Sequence, residues 1–184
     1  MKATPDLQAA LSVLLDKIES NLHPAFTDTL KMYIAGGIAV NYYCGTRYTD
    51  DVDASFSHRI TPLRDIDVNY TRRDGTRAIL YLDPNYNPSF SLLHHDFETD
   101  SIPWAELNGT RRIEVRVLHP VDLALSKISR FSDQDREDIL SLAAGGLITA
   151  GQIKKRAEEA LADYIGNPDR IRADILQICS QIST

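Results

Sequence analysis

Two glycines and two aspartates stand close together in the stretch YIAGGIAVNYYCGTRYTDDVDASF. Gly36 and Gly37 follow a short apolar run, and Asp51 and Asp53 come later, separated by a single valine. Side chains two residues apart on a strand point to the same face, so the two carboxylates could share a cation. Anions held side by side repel unless a positive charge lies between them, and oxygen ligands suit Mg²⁺ or Mn²⁺.

The glycines could supply a phosphate site next to that cation. A strand-to-helix turn without Cβ atoms lets a phosphate approach the backbone N–H groups at the start of a helix. Each motif is a weak signal alone, but their order and spacing together favour chemistry. A Rossmann dinucleotide site is not expected, because Gly36, Gly37 and Gly45 do not give the GxGxxG spacing.

Hydrophobic periodicity predicts the elements that must position these residues. Helices are predicted at Asp6–Asn21, Ile38–Cys44, Val121–Phe131, Asp135–Ala144, Thr149–Ile165 and Pro168–Ile182. Strands are predicted at Met32–Ala35, Val52–Phe56, Asp65–Tyr70, Thr76–Leu82 and Arg112–Leu118, with LLHHDFE as a further short strand. The predicted fold is α+β, a small mixed β-sheet flanked by helices with a helical C-terminal part. We expect an α+β core over residues 1–120 and a helical part over 121–184, packed as one unit with the core.

Composition narrows the class of protein. The 184 residues are 43% apolar and 25% charged, which is typical of a globular protein. A signal sequence and a membrane span are not predicted, so we expect a cytoplasmic protein. The net charge of -6 disfavours broad nucleic-acid binding. Arginines cluster at 72, 73, 77, 111, 112 and 116. The favoured interpretation is that they are solvated strand edges, and a local basic groove is the alternative.

Two blocks carry a resemblance to a known family. GGIAVNYYCGTRYTDDVDASF resembles the GG/GS and DxD signature of the polymerase-β-like nucleotidyltransferase superfamily. VLHPVDLALSKISRFSDQDREDILSLAAGGLI resembles the helix of AbiEii-like and related bacterial nucleotidyltransferases, which carries a lysine followed by D-x-x-D. The blocks cover about a third of the chain in the expected order.

This resemblance implies transfer of a nucleoside monophosphate from an NTP to an acceptor, with Mg²⁺ or Mn²⁺ as cofactor. Gly36 and Gly37 would hold the triphosphate, and Asp51 and Asp53 would bind the metal. Lys127 would contact phosphate oxygens and so take part in catalysis. Arg47 matches a position where the AbiEii-like group often has a basic residue, and would help to bind the nucleotide.

The third metal carboxylate is open to three assignments. Asp83 is preferred, because the family places this acid on a strand beside the DxD strand and RAILYLD is the best apolar run that ends in an acid. Asp96 and Glu114 are the alternatives. Glu114 shares a strand face with Arg116, which also fits a surface ion pair.

Ordinary structural roles compete with several of these assignments. Lys127 and Arg130 lie on one side of a helix and would also fit a solvated basic edge. Asp135 and Asp138 fit helix capping or pairing with Lys127 as well as they fit binding. His94 and His95 would point to opposite faces of a strand and so would not bind one metal together.

The expected function is a metal-dependent nucleotidyltransferase that acts on an RNA such as tRNA, or on a protein. A toxin–antitoxin role, which rests on analogy, would add a cognate partner protein. The alternatives are a nucleotidyltransferase that modifies a small molecule and a catalytically idle binding or regulatory module of the same fold.

Overall fold

The computed structural model describes residues 3–60 and 65–182 of the chain. These residues form two compact units. The sheet unit comprises the described residues of 1–86 and 102–117, and the helical unit those of 87–101 and 118–184. The α+β fold class is confirmed, with small mixed sheets, flanking helices and a helical C-terminal part. The prediction that 1–120 and 121–184 pack as one unit stays a prediction.

The sheet unit begins with an amphipathic helix and contains all the strands of the described chain. Its helices are α1 (Pro5–Asn21), α2 (Gly36–Cys44) and the short α4 (Ala105–Asn108). Its strands are β1 (Leu30–Ile34), β2 (Asp51–Val52), β3 (Ala54–Phe56), β4 (Val68–Thr71), β5 (Arg77–Leu82), β6 (Ile102–Pro103) and β7 (Ile113–Val117). The apolar positions that predicted α1 are buried: Leu7, Leu11, Leu14, Leu15 and Ile18.

The strands form a four-stranded sheet in the order β3-β1-β7-β6 and a three-stranded sheet in the order β2-β5-β4. In the first, β1 and β7 are parallel, while β1 with β3 and β6 with β7 are antiparallel. In the second, β2 and β5 are parallel, and β4 and β5, which lie at two of the predicted strands, form an antiparallel hairpin. Its turn is closed by the N–H of Gly75, which donates to the carbonyl of Arg72 at 2.9 Å.

The prediction of a single strand at Val52–Phe56 is wrong, because this segment forms parts of two strands, β2 and β3. The chain changes sheets at Asp53, since β2 pairs with β5 while β3 pairs with β1. The N–H of Ala35 donates to the carbonyl of Asp53 at 2.8 Å, which ties this junction to the end of β1. Val52 is fully buried. One short segment thus joins the two sheets, and Asp53 stands at the join.

The helical unit contains α3 (Phe97–Asp100), α5 (Pro120–Ile128), α6 (Asp133–Ala144), α7 (Ala150–Leu161) and α8 (Pro168–Gln181), with a 3₁₀ turn at Pro88–Phe90. Capping boxes start α6 at Ser132 and α7 at Thr149. Helix α5 ends earlier than predicted, because Phe131 has a positive φ of 55° and Ser132 already caps α6. Helix α7 also ends earlier, at Leu161, and Ile165 beyond it is exposed.

The predicted strand at LLHHDFE is wrong. His95 and Asp96 form a turn that leads into α3. The N–H of Asp96 donates to Nδ1 of His94 at 3.1 Å, and the N–H of Phe97 donates to the carbonyl of His94 at 3.0 Å. Local bonds of this kind satisfy the backbone without a neighbouring strand. Among the described residues, no helix is long and apolar enough to cross a membrane.

Candidate active site

The glycine turn lies directly against the DxD motif. Gly36 begins α2 with a positive φ of 58°, a conformation that side chains rarely adopt. A methyl group on Gly36 would overlap Oδ2 of Asp53 and lie 2.7 Å from its Cγ. The turn therefore needs glycine because the carboxylate of Asp53 occupies the space that a Cβ would fill. The predicted contact of Gly36 with phosphate stays a prediction.

Gly37 makes room for the loop that leads to the aspartates. A Cβ on Gly37 would lie 2.9 Å from the Cβ and Cγ2 of Thr49 and 3.4 Å from Nε of Arg47. The structure thus brings Arg47, the predicted nucleotide ligand, next to the start of α2. Whether Arg47 binds nucleotide stays a prediction.

Asn41 holds this loop in place, and sequence reasoning missed it. Its side chain is fully buried in α2. Its Nδ2 donates to the carbonyl of Arg47 at 2.5 Å, and its Oδ1 accepts from the N–H of Thr4 at 3.0 Å. Buried amides need such partners. The signal in the sequence was an asparagine within the apolar run of a helix.

The three predicted metal ligands lie at the ends of two paired strands. In the parallel pair β2–β5, Asp51 is opposite Tyr81 and Val52 is opposite Leu82. The next residues are Asp53 and Asp83, and the N–H of Asp83 donates to the carbonyl of Val52 at 3.1 Å. The structure therefore places Asp83 beside the DxD strand, as expected.

The charges of these acids act on neighbouring tyrosines. Tyr81 lies on β5 opposite Asp51, and the charge of Asp51 is the main cause that raises the pKa of Tyr81. Asp83, Asp50 and Asp53 raise it further. Burial raises the pKa of Tyr86, and the charge of Asp53 adds to that effect. The acids thus act on shared neighbours, and a cation bound there would be stabilised.

The donor set fits a magnesium ion in chemistry, although the three carboxylates do not converge as they stand. Asp51 accepts a hydrogen bond from the hydroxyl of Thr49, and Oδ1 of Asp83 accepts from the N–H of Asn85 at 2.8 Å. Among the described residues, one group of three side chains has all its ligand atoms within 4.8 Å of one another, and that group does not include these aspartates. Mg²⁺ is commonly held by one or two carboxylates together with substrate phosphates. Asp51 and Asp53, beside the turn that is predicted to bind phosphate, would satisfy that requirement.

The alternatives for the third carboxylate have other partners. Oε1 of Glu114 on β7 lies 2.6 Å from the guanidinium of Arg116, the surface pair that was its ordinary interpretation. Asp96 belongs to the helical unit and lies beside His94 and His95. Asp83 is thus the acid whose strand pairs with the DxD strand.

Lys127 lies in the helical unit and is buried, with 5% of its surface exposed. Its Nζ is 2.6 Å from Oδ2 of Asp138 and 3.6 Å from Oδ1 of Asp135. Burial alone would raise the pKa of Asp135, but hydrogen bonds from Arg130 and Ser132 outweigh it and lower this pKa to about 2. The pairing of Asp135 and Asp138 with Lys127 is confirmed, and contact of Lys127 with phosphate stays a prediction.

Ion pairs support the favoured interpretation of the arginine clusters as strand edges, and the local basic groove stays the alternative. Four of their members pair with acids of the sheet unit: Arg72 with Asp50, Arg111 with Asp16, Arg112 with Glu19 and Arg116 with Glu114. Pairing of this kind removes the net positive charge that phosphate backbones require.

Comparison with known families agrees with this arrangement. Residues 10–179 match the family described as "Nucleotidyltransferase of unknown function (DUF6036)". Because the match spans most of the chain, the chain belongs to this nucleotidyltransferase family. No curated protein and no solved structure gives a significant match to the chain.

Proposed function

We propose that this protein uses Mg²⁺ or Mn²⁺ to transfer a nucleoside monophosphate from an NTP to a hydroxyl group of an acceptor, an RNA such as tRNA or a protein. The observation that carries the proposal is the contact between Gly36 and Asp53. It sets the N-terminus of α2, where a triphosphate can meet backbone N–H groups, beside the acid that would hold the metal. Membership of the nucleotidyltransferase family supports the same reaction.

The protein's own residues would align the substrate. The turn at Gly36 and Gly37 would hold the triphosphate, and Arg47 would counter its charge. Asp51, Asp53 and Asp83 would position divalent cations, which when bound neutralise the phosphate charge and the leaving pyrophosphate. A carboxylate of this set would also accept the proton of the attacking hydroxyl.

A cleft beside Asp83 supports binding of a nucleoside. It lies within the sheet unit, has a volume of about 750 Å³ and is lined in part by Phe56, Tyr81, Asp83 and Tyr86. Aromatic side chains next to a carboxylate suit a base and a ribose, since rings stack on bases and carboxylates accept from hydroxyl groups. We assign this cleft to the nucleoside of the NTP or of the acceptor.

The first experiment is a labelling reaction. Purified protein is incubated with Mg²⁺, each α-³²P-labelled NTP in turn, total RNA and cell extract, while pyrophosphate release is followed in parallel. We expect a labelled RNA or protein band, and at least a 1,000-fold lower rate for Asp53→Asn because it removes a metal ligand. Asp83→Asn should also lose activity, whereas Glu114→Gln should keep it.

Each result decides between the proposed acceptors. Label on RNA or on protein names the acceptor class, and a cognate partner protein would be tested by its effect on that label. Pyrophosphate release without a labelled macromolecule would mean a small-molecule acceptor. No release and no label with any NTP, from folded protein that binds nucleotide, would contradict the proposal and favour the idle binding module.

A further inference from the structure

A second group of potential metal ligands lies in the helical unit, apart from the acids of the candidate active site. His94, His95 and Asp96 form the turn before α3, and their ligand atoms all lie within 4.8 Å of one another. Glu159, on the last turn of α7, and Asp163, just after that helix, face the same two histidines. The cluster thus joins two imidazoles to three carboxylates.

The two imidazole rings lie on the same side of the chain. Their centroids are 4.0 Å apart and their planes differ by 29°, so the rings stack. The expectation that adjacent histidines point to opposite faces is wrong here, because residues 94–96 form a turn rather than a strand. The turn therefore brings the two rings together, and rotation of the stacked rings would let one in-plane nitrogen lone pair of each reach the same metal.

Each histidine turns one ring nitrogen towards Asp96 and the other towards a different carboxylate. Nδ1 of His94 is 3.8 Å from Oδ2 of Asp96, and its Nε2 is 3.7 Å from Oε2 of Glu159. Nε2 of His95 is 3.3 Å from Oδ2 of Asp96, and its Nδ1 is 3.8 Å from Oδ2 of Asp163. In protein metal sites, a histidine ligand typically donates its second ring N–H to a carboxylate, which fixes the ring.

The local hydrogen bonding also fixes the tautomer of His94. Nδ1 of His94 accepts a hydrogen bond from the N–H of Asp96 at 3.1 Å. In the neutral ring this places the proton on Nε2, facing Glu159, and leaves a lone pair on Nδ1. A metal at Nδ1 would take over that lone pair from the backbone N–H.

We propose that His94 Nδ1, His95 Nε2 and the Asp96 carboxylate bind one zinc ion, with Glu159 and Asp163 orienting the two imidazoles. Zinc bonds of about 2.0–2.1 Å in a tetrahedral site place neighbouring ligands about 3.4 Å apart. The separations of 3.3 Å and 3.8 Å from Asp96 Oδ2 to the two imidazoles are close to that value. Imidazole nitrogens select zinc over magnesium, which prefers oxygen ligands only.

Bound zinc would fasten the turn at 94–96 to the end of α7 through Glu159 and Asp163. Three protein ligands leave a fourth position for water or a further ligand. His95 and Asp96 have 63% and 54% of their side chains exposed, so an ion can reach the site from solvent. The inference does not rest on nucleotide transfer and would hold for an inactive protein.

The test is a zinc titration of the full chain after treatment with a chelator, with a chromophoric zinc indicator as competitor. We expect one equivalent of zinc per chain and a rise in Tm on zinc addition. His95→Ala and Asp96→Asn should each weaken zinc binding at least 10-fold and abolish the rise in Tm. Glu159→Gln should weaken binding about 10-fold, because it removes an orienting carboxylate without removing a ligand.

Three controls separate this site from other zinc binding. His23→Ala changes an exposed histidine of the sheet unit and should bind zinc like the unchanged protein. Asp53→Asn should also retain zinc while losing transferase activity, so that the two proposals fail independently. With Co²⁺ as probe, a spectrum without a thiolate charge-transfer band would exclude Cys44 and Cys179 as ligands.

The proposal would be overturned by much less than one equivalent of bound zinc. It would be overturned equally by unchanged zinc affinity in both His95→Ala and Asp96→Asn. Both substitutions lie at exposed positions, so the Tm of each variant without zinc should match that of the unchanged protein and establish that it is folded.

Discussion

Acidic side chains gather both in the sheet unit and around Lys127 in the helical unit, but their surroundings differ. Asp51, Asp53 and Asp83 are half-buried at the ends of β2 and β5, and their charges raise the pKa of Tyr81. Asp135 and Asp138 are 1% and 3% exposed, and Lys127 and Arg130 lie against them. The first group acts on a shared neighbour, Tyr81, whereas the second pairs with the buried Lys127 and with Arg130.

Burial explains why these two groups of acids have different roles. A fully buried carboxylate loses its hydration and is tolerated only with a partner charge and hydrogen bonds, which the helical unit supplies. A half-buried carboxylate keeps part of its hydration, so it does not require a buried partner charge. Closely spaced aspartates therefore make an ion network in one unit and a candidate metal site in the other.

The largest effect on stability is expected when the acids around Lys127 lose their cation. Lys127→Met would leave Asp138 buried without the ammonium that lies 2.6 Å away, at a cost of about 3–5 kcal/mol in the free energy of unfolding. Urea denaturation measures this change. The exposed Lys154→Met is the control and should stay within about 0.5 kcal/mol.

The double variant Lys127→Met with Asp138→Leu sharpens this test. Replacing a buried ion pair by apolar side chains is often nearly neutral, so much of the lost stability should return. A loss below about 1 kcal/mol for Lys127→Met alone would mean that the lysine is not a structural cation, and would strengthen its predicted role at phosphate.

Gly36→Ala is expected to have the next largest effect, because it disturbs the contact that defines the candidate active site. The methyl group would displace the Asp53 carboxylate and strain a backbone with positive φ, at a cost of about 1–3 kcal/mol. Nucleotide transfer should fall as well. Gly75→Ala is the matched control, since Gly75 also has positive φ but a methyl group there meets nothing within 4 Å.

Stability and activity should separate these two glycine variants. Thermal denaturation of both measures the strain that they share, and the excess loss in Gly36→Ala reports the displaced carboxylate. Equal stability loss with unchanged transfer activity in both variants would mean that the Gly36–Asp53 contact has no part in the reaction.

Lowering the pH should weaken the cluster of acids around Lys127. Folding lowers the pKa of Asp135 from its ordinary value of 3.8 to about 2, so folding favours the charged form. Its stabilising contribution of about 2 kcal/mol is present above about pH 4 and is lost as the pH falls towards 2. Urea denaturation of the unchanged protein and of Asp135→Asn should show a gap that narrows as the pH falls from 5 to 2.5. A gap of constant size would contradict the assigned pKa.

The smallest expected change is at Asp51, and its sign is opposite. Asp51→Asn relieves repulsion among neighbouring acids, so the metal-free protein should be as stable as before or up to about 1 kcal/mol more stable. Asp138→Asn is the isosteric counterpart in the helical unit and should destabilise, since it weakens the ion pair with Lys127. A loss of several kcal/mol for Asp51→Asn would make that residue structural.

Much of the fold could be predicted from patterns within single segments. The spacing of Leu7, Leu11 and Leu14 predicted α1. Gly45 marked the end of α2, although the helix begins at Gly36 and not at the predicted Ile38. The β4–β5 hairpin followed from two extended runs around Gly75. These signals succeeded because helix periodicity, strand alternation and turn chemistry depend on neighbours in sequence.

The errors arose where partners distant in sequence decide the structure. The segment Val52–Phe56 reads as one strand, but its two halves pair with β5 and β1 and so divide at Asp53. The segment around His94 reads as a strand, but local bonds fold it into a turn. No local pattern states which strand will be the neighbour of another.

By itself the sequence determined the α+β class, the residue types of the candidate active site and their order along the chain. The tertiary structure alone decided that the Asp53 carboxylate lies on Gly36, that Asp83 stands beside the DxD strand and that Lys127 is enclosed by Asp135 and Asp138. The physical reason is that residue type sets which charges and ligands are available. Burial and distance, which only folding fixes, set whether a charge faces a partner within the protein or remains able to bind one from solution.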